Sequence, residues 1–323
     1  MAKAIRYHRQ GGPEVLQLDE IQVGEPGQGQ VRIRHTAIGV NFVDTYQRSG
    51  LYPMQLPAVA GNEAAGVVEA VGPGVKDLKK GDRVAYTGLP GSYCDVRIVP
   101  ADRMVKIPKG ISDEQAASMM LKGMTVHYLI FSTHKVKKGE TVLWHAAAGG
   151  VGLIAGQWLK KIGAVGIGTV GSEEKAKLAK AHGWKHVINY STENFVERLK
   201  EITKGKKVPV VYDSVGKTTW DGSLDCLQPR GLMVSFGNAS GAVPPQNLGI
   251  LSTKGSLYVT RPTLATYIAA RADLVKRSTD LFNAVKSGKV KIETTKKYKL
   301  ADAAQAHRDL EGRQTTGSVV LIP

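Results

Sequence analysis

Between residues 141 and 260 short apolar runs alternate with amphipathic stretches of helical length, and few folds accept that pattern. The runs at 141–146, 165–170, 186–190, 209–214, 232–236 and 256–260 read as strands. Stretches 150–162, 173–182, 193–203 and 218–227 separate the first five and read as helices. Strands apolar on both faces belong to a sheet covered on both sides, and the alternation makes that sheet parallel. Six such strands complete a doubly wound α/β dinucleotide fold.

The first turn of this region sharpens the reading. In His145-Ala146-Ala147-Ala148-Gly149-Gly150-Val151-Gly152, residues Ala147, Gly149 and Gly152 occupy the glycine positions of G-x-G-x-x-G, with Ala in the first. The motif follows a strand and opens a helix, the context in which it binds a pyrophosphate at the helix N-terminus. A site for NAD ends the second strand in Asp or Glu, to hold a ribose 2′-hydroxyl. Here that position is Gly171, followed by Ser172, with Lys175 one turn on. A small residue, a hydroxyl donor and a cation suit a 2′-phosphate, so NADPH is expected. Glu173 and Glu174 are expected to face solvent, where they favour the helix dipole. His145 reads as a satisfied strand histidine; Asp213 and Ser214 end the fourth strand, where ligand contacts collect in such folds, so Asp213 reads either as a ligand contact or as the holder of a turn.

The first ~120 residues carry short strand-like runs (3–7, 15–19, 30–37, 65–71, 83–87 and 93–99) divided by Gly- and Pro-rich turns, the texture of a small β-barrel. Ser112 and Gln115 have capping-box spacing and mark a helix start. The tail offers two helices, 272–287 and 301–312, and a last strand, 317–322, expected to rejoin the barrel. The barrel domain is then discontinuous, residues 1–124 and 263–323, around a nucleotide domain at 125–262. Strand 256–260 ends the sheet, and such an edge invites pairing, so a homodimer is expected through it.

Two cysteines, Cys94 and Cys226, stand far apart with no metal-ligand spacing. With no signal-peptide core and no membrane-length apolar run, this fits a reducing, cytoplasmic setting. The excess of 44 Lys and Arg over 28 Asp and Glu gives +16, which draws anions. The basic clusters are scattered with few aromatics between them, which argues against a nucleic-acid interface.

The order of barrel, AAAGGVG nucleotide domain and returning tail resembles the medium-chain dehydrogenase/reductase superfamily. Gly39-Val40-Asn41-Phe42-Val43-Asp44-Thr45-Tyr46, Ser49-Gly50-Leu51-Tyr52-Pro53, Gly61-Asn62-Glu63-Ala64-Ala65-Gly66 and Val211-Tyr212-Asp213-Ser214-Val215-Gly216 resemble its zinc-free NADPH:quinone oxidoreductase branch, related to zeta-crystallin, along essentially the whole chain. The resemblance implies a GroES-like barrel beside a Rossmann domain. Zinc-dependent members carry a Cys and a Gly-His-Glu motif where this chain has Asn41 and Gly61-Asn62-Glu63. Amides are poor zinc ligands, so no metal is expected.

The same resemblance implies NADPH in a cleft between domains and metal-independent transfer, as hydride or single electrons, to a quinone. It places Asn41, Phe42, Val43 and Asp44 by the nicotinamide, with Tyr46 and Tyr52 lining the quinone pocket; Asn41, Asp44, Tyr46 and Tyr52 are the candidate catalytic residues. Gly149, Gly150 and Val151 match pyrophosphate contacts, and Gly171, Ser172 and Lys175 those of the 2′-phosphate. Tyr190 matches an adenosine contact and Tyr128 a cofactor-side position. Phe236, Gly237, Asn238, Ser240 and Gly241 match a loop over the ribose, Pro262, Thr263 and Leu264 the nicotinamide amide, and Arg313 a late cationic contact. An enone or 2-alkenal reductase is the alternative within enzymes. An RNA-binding protein regulated by NADPH is the alternative outside them.

Overall fold

The computed structural model describes residues 1–323 and divides into two compact units. One comprises Met1–Met124, Tyr267–Gly288 and Ile292–Pro323; the other comprises Thr125–Thr266 and Lys289–Lys291. The chain thus crosses back after Thr266, four residues beyond the sequence-based boundary at 262.

The first unit opens with β1 (Ala2–Tyr7), β2 (Gln17–Ile21), β3 (Gln30–Val40), α1 (Phe42–Ser49), β4 (Ala58–Val59), β5 (Glu63–Val71), β6 (Arg83–Thr87), β7 (Val96–Pro100) and β8 (Val105–Lys106), and α2 (Asp113–Tyr128) begins in it and ends in the second unit. The start of α2 is the expected capping box: Ser112 N donates to Gln115 Oε1 and Gln115 N to Ser112 Oγ, both at 3.1 Å. Residues 93–95, read as the start of a strand, instead lie along β1, where Ile5 N donates to Tyr93 O at 2.8 Å and Asp95 N to Lys3 O at 3.0 Å.

The second unit holds β9 (Thr141–Trp144), α3 (Gly150–Ile162), β10 (Val165–Val170), α4 (Glu173–Ala181), β11 (His186–Asn189), α5 (Phe195–Ile202), β12 (Val208–Asp213), α6 (Trp220–Asp225), β13 (Leu227–Ser235), α7 (Gly249–Thr253) and β14 (Tyr258–Thr260). Its six strands are all parallel in the order β11-β10-β9-β12-β13-β14. The order reverses at β9 and β12, so ligands gather at the carboxyl ends of these strands. Leu143, Ile167, Ile188, Val211 and Met233 form its buried core.

After α8 (Leu264–Tyr267) the chain completes the first unit with α9 (Arg271–Lys286), β15 (Thr294–Lys299), α10 (Ala303–Glu311) and β16 (Ser318–Ile322). The terminal strand does rejoin the first unit: β16 runs antiparallel to β3, with Val319 opposite Val40. The larger sheet is ordered β15-β16-β3-β5-β6-β8, with β7 also on β3, and the smaller one β2-β1-β4. Ile5, Ile33, Val68, Tyr86 and Leu321 lie in the barrel core. β15 was not expected from the sequence, because its lysine-rich TTKKYK reads as a solvated run. It is an edge strand, where lysines discourage further pairing.

Candidate functional site

In the nucleotide unit, β9 ends at Trp144 and the chain turns at Ala146, which takes a left-handed φ of 57°. Ala147 N donates to Thr169 O (2.9 Å) and Gly149 N to Ala146 O (3.0 Å), which closes the turn. Gly149 then caps α3 with extended backbone; no side chain caps that helix, and no acid lies in its first turn. Its leading N–H groups are thus offered to an anion. At Gly152 a β-carbon would strike Ala146 O and lie 2.6 Å from Ala147 O, so only glycine lets the helix sit this close. Trp184, which the sequence reading missed, pins the turn by donating Nε1 to Ala147 O (3.2 Å) and Gly152 O (3.1 Å).

Beside this turn β10 ends at Val170. A β-carbon on Gly171 would lie 2.6 Å from the Tyr190 hydroxyl, so the two define one corner. Ser172 caps α4 by accepting from Lys175 N at 3.3 Å, and its hydroxyl proton goes to the Glu174 carboxylate. Glu173 and Glu174 are exposed, as expected, and Glu173 Oε1 also accepts from Asn189 Nδ2 at 2.9 Å. A hydrogen bond with Ser172 helps hold the Glu174 carboxyl below its usual range, after the larger contribution of its own backbone N–H.

At the end of β12, Asp213 Oδ1 accepts from Val215 N (2.7 Å) and Gly216 N (3.0 Å), and Oδ2 from Thr219 Oγ1 (2.7 Å) and Ser223 Oγ (2.9 Å). It holds the turn. His145 bridges Ser223 Oγ and Thr169 Oγ1, each at 2.9 Å, and burial keeps it less basic than usual. Residues 236–241 pack backbone-to-backbone on this turn: Ser240 N donates to Val215 O at 2.8 Å and Ala239 N to Ser214 O at 3.1 Å. Arg261, also missed, supports that loop from beneath, with Nη1 3.0 Å from Gly237 O and 3.1 Å from Ser235 Oγ. With its amide turned to satisfy both ends, Asn238 donates to Gly237 O at 2.9 Å and accepts from Arg261 Nη2 at 3.0 Å. Pro262, Thr263 and Leu264 follow directly. Tyr128 is only 2% exposed and lies within the unit.

In the barrel unit, Asn41 caps α1 and Asp44 returns the bond, accepting from Asn41 N at 2.8 Å through Oδ2. Phe42 and Val43 stay half-buried on the first turn. Tyr46, within α1, packs on Tyr52 at 5.3 Å between ring centroids and on Phe42 at 6.2 Å, so the three rings form one aromatic group. Asn41 Nδ2 donates to Glu63 Oε2 (2.8 Å); Asn62 Nδ2 donates to Asp44 Oδ1 (2.8 Å) and Gln47 Oε1 (2.7 Å). Glu63 Oε1 accepts from Leu121 N at 2.7 Å, and the Lys122 ammonium lies 3.6 Å from Oε2. Burial raises the Asp44 carboxyl to about 6, against hydrogen bonds from Asn62, Asn41 and Tyr93 and the charge of Lys122. Arg313 follows α10 in the same unit with a φ of 57°.

The family description of an alcohol dehydrogenase GroES-like domain matches residues 27–109, and that of a zinc-binding dehydrogenase residues 150–279. Over 100% of both chains the sequence is 55% identical to a quinone oxidoreductase of Pseudomonas aeruginosa. The chain belongs to the quinone oxidoreductase family. The structure of the Escherichia coli quinone oxidoreductase complexed with NADPH is similar throughout, with a TM-score of 0.98, 55% identity and 100% of each chain covered. A 2-haloacrylate reductase of a Burkholderia species is 49% identical, over 100% of this chain and 99% of that protein. In this member of the family the residues at the zinc positions do not suit a metal. Two of the three side chains there, Asn41 and Asn62, could offer only a neutral amide oxygen, and the third, Glu63, already accepts from Asn41 Nδ2 and Leu121 N.

Proposed function

We propose that this chain reduces quinones with NADPH. The observation that carries the reading is the corner after β10, where Gly171 and Ser172 replace the acid an NAD site needs. The uncapped start of α3 suits the pyrophosphate through Gly149, Gly150 and Val151, and Lys175 adds a cation for the 2′-phosphate. Tyr190 suits the adenosine, and Asn238, on the loop braced by Arg261, suits the ribose. When bound, the coenzyme supplies two electrons and a hydrogen from its nicotinamide. The protein's part is to orient and to exclude water: Asn41, Val43 and Asp44 set the nicotinamide side, and Phe42, Tyr46 and Tyr52 offer aromatic faces to a flat acceptor. A quinone is electrophilic already and needs no Lewis acid. The tyrosine hydroxyls can supply the proton the product takes.

Stopped-flow oxidation of NADPH and NADH with a simple para-quinone tests this. NADPH is expected to react with the higher kcat/KM, and Lys175→Ala to lower that preference at least tenfold, the value of one charge-assisted contact. No turnover with any quinone would end the reading. The haloacrylate-reducing relative favours one second reading, an activated alkene as acceptor, and parallel rates with an enone decide between them.

No helix is long and apolar enough to cross a membrane; we place the protein in the cytoplasm. The exposed edge of β14, with Tyr258 at 62% and Val259 at 39% accessibility, supports a homodimer built by edge pairing. Light scattering of Val259→Lys is expected to give half the wild-type mass. An unchanged mass would put the interface elsewhere.

A further inference from the structure

A line of buried hydrogen bonds in the barrel unit joins α10 to the first turn of α1, and its members lie up to 263 residues apart. It begins at Glu311, which takes Arg48 Nη1 at 3.0 Å and Nη2 at 2.7 Å. Arg48 is 2% exposed; its Nε donates to Gly11 O at 3.1 Å, and Nη1 also reaches His307 Nδ1 at 3.1 Å. A guanidinium only donates, so Nδ1 must be the bare nitrogen and the proton of the neutral ring sits on Nε2. Nε2 lies 3.0 Å from the Tyr93 hydroxyl and donates to it. The Tyr93 proton is then committed to Asp44 Oδ2, also 3.0 Å away. Arg48 thus donates outward to Glu311, and from Arg48 inward every donor points toward Asp44 and the line ends on that carboxylate.

We propose that His307 and Tyr93 are positioning residues for the cofactor-facing segment 41–44, acting through Asp44 along this one-way line. The proposal rests on the NADPH site argued above. Asp44 is the shared acceptor for Asn41 N, Asn62 Nδ2 and Tyr93, so it fixes the cap of α1 and the backbone that presents Phe42 and Val43. Room for the Tyr93 ring comes from Gly61, at a φ of 92°, where a β-carbon would run into that ring. The charged or titratable groups around Asp44 are Lys122, which favours its ionised form, and Tyr7, Tyr93 and Glu63, with Arg48 and His307 beyond Tyr93. Burial and Arg48 keep His307 neutral to about pH 3, so the line holds its direction while Asp44 titrates near 6.

Two measurements test this. Nitrogen-15 spectra of the imidazole rings should show His307 as the Nε2–H tautomer at pH 7; an Nδ1–H ring overturns the line whatever the variants do. Secondly, NADPH affinity, followed by nicotinamide fluorescence from pH 5 to 8, should fall on acidification through about pH 6. In Tyr93→Phe the carboxylate loses one donor, and that midpoint should rise by about one pH unit. A folded Tyr93→Phe protein with the wild-type midpoint overturns the positioning role alone. Affinity that ignores pH although carbon-13 spectra show Asp44 titrating in this range removes segment 41–44 from the cofactor and overturns the proposal, whereas no NADPH binding at any pH overturns the NADPH-site reading itself.

Discussion

Replacing Lys122 with methionine is expected to cost about 3–5 kcal/mol of stability at pH 8, the scale for removing one partner of a buried ion pair. Methionine fills much of the space of the lysine stem, so packing changes little. What changes is Glu63, which is fully buried, already raised above the usual carboxyl range by that burial, and steadied chiefly by the Lys122 charge. Without it the carboxylate keeps only Asn41 Nδ2 and Leu121 N, and it can escape by taking up a proton. The loss should therefore be smaller at pH 6 than at pH 8. Glu63→Gln added to Lys122→Met should recover most of it, because a neutral amide leaves no unpaired charge. Urea unfolding of the wild type, the single variant and the double variant at both pH values gives the comparison. Equal cost in single and double variants would mean that the lysine acts through packing and its bond to Val40 O, not through Glu63.

The expected pattern was easiest to read where local periodicity and burial agree. The nucleotide sheet announced itself because β9, β10 and β12 are apolar on both faces, and the helix over residues 150–162 emerged with its bounds intact because Gly149 and Gly163 frame it. Ser112 and Gln115 are three residues apart, so their capping box is visible in the sequence. β15 was hidden because an edge strand has no buried alternation to display. The polar group behind Asp44 was hidden for another reason. Its partners come from α1, the loop before β5, residue 93, α2 and α10, and only the folded barrel makes neighbours of residues 44, 93 and 307. Asn41 and Asp44 could be singled out; Tyr93, Lys122 and His307, each an isolated polar residue in an apolar or mixed stretch, carried no spacing signal.

Acid should unfold this protein through its histidines. His35 and His307 are both held down to about pH 3, first by burial and then by a nearby arginine, partly countered in His35 by its bond to Cys94 O. A histidine whose folded pKa lies below its unfolded value of ~6.5 gives stability that is complete above that value and lost as pH falls toward 3. Near pH 5 the unfolded chain therefore binds about two more protons at these sites. Asp44 works in the opposite sense, since its folded value of about 6 lies above 3.8, so the native state holds about one extra proton between those limits. His145 and Glu63, displaced downward and upward by burial, oppose each other. One net proton corresponds to a slope of about 1.4 kcal/mol per pH unit, or about 3 kcal/mol lost between pH 6 and pH 4. His35→Asn isolates one part of this. Asparagine can keep the bond to Cys94 O that His35 Nδ1 makes at 2.7 Å, yet it has nothing to protonate. Its unfolding free energy should thus change with pH by about 1.4 kcal/mol per unit less than that of the wild type, whatever its absolute stability. Parallel curves would show that His35 takes up its proton in the native state, and the burial of that ring beside Tyr86 would then not be what sets acid sensitivity.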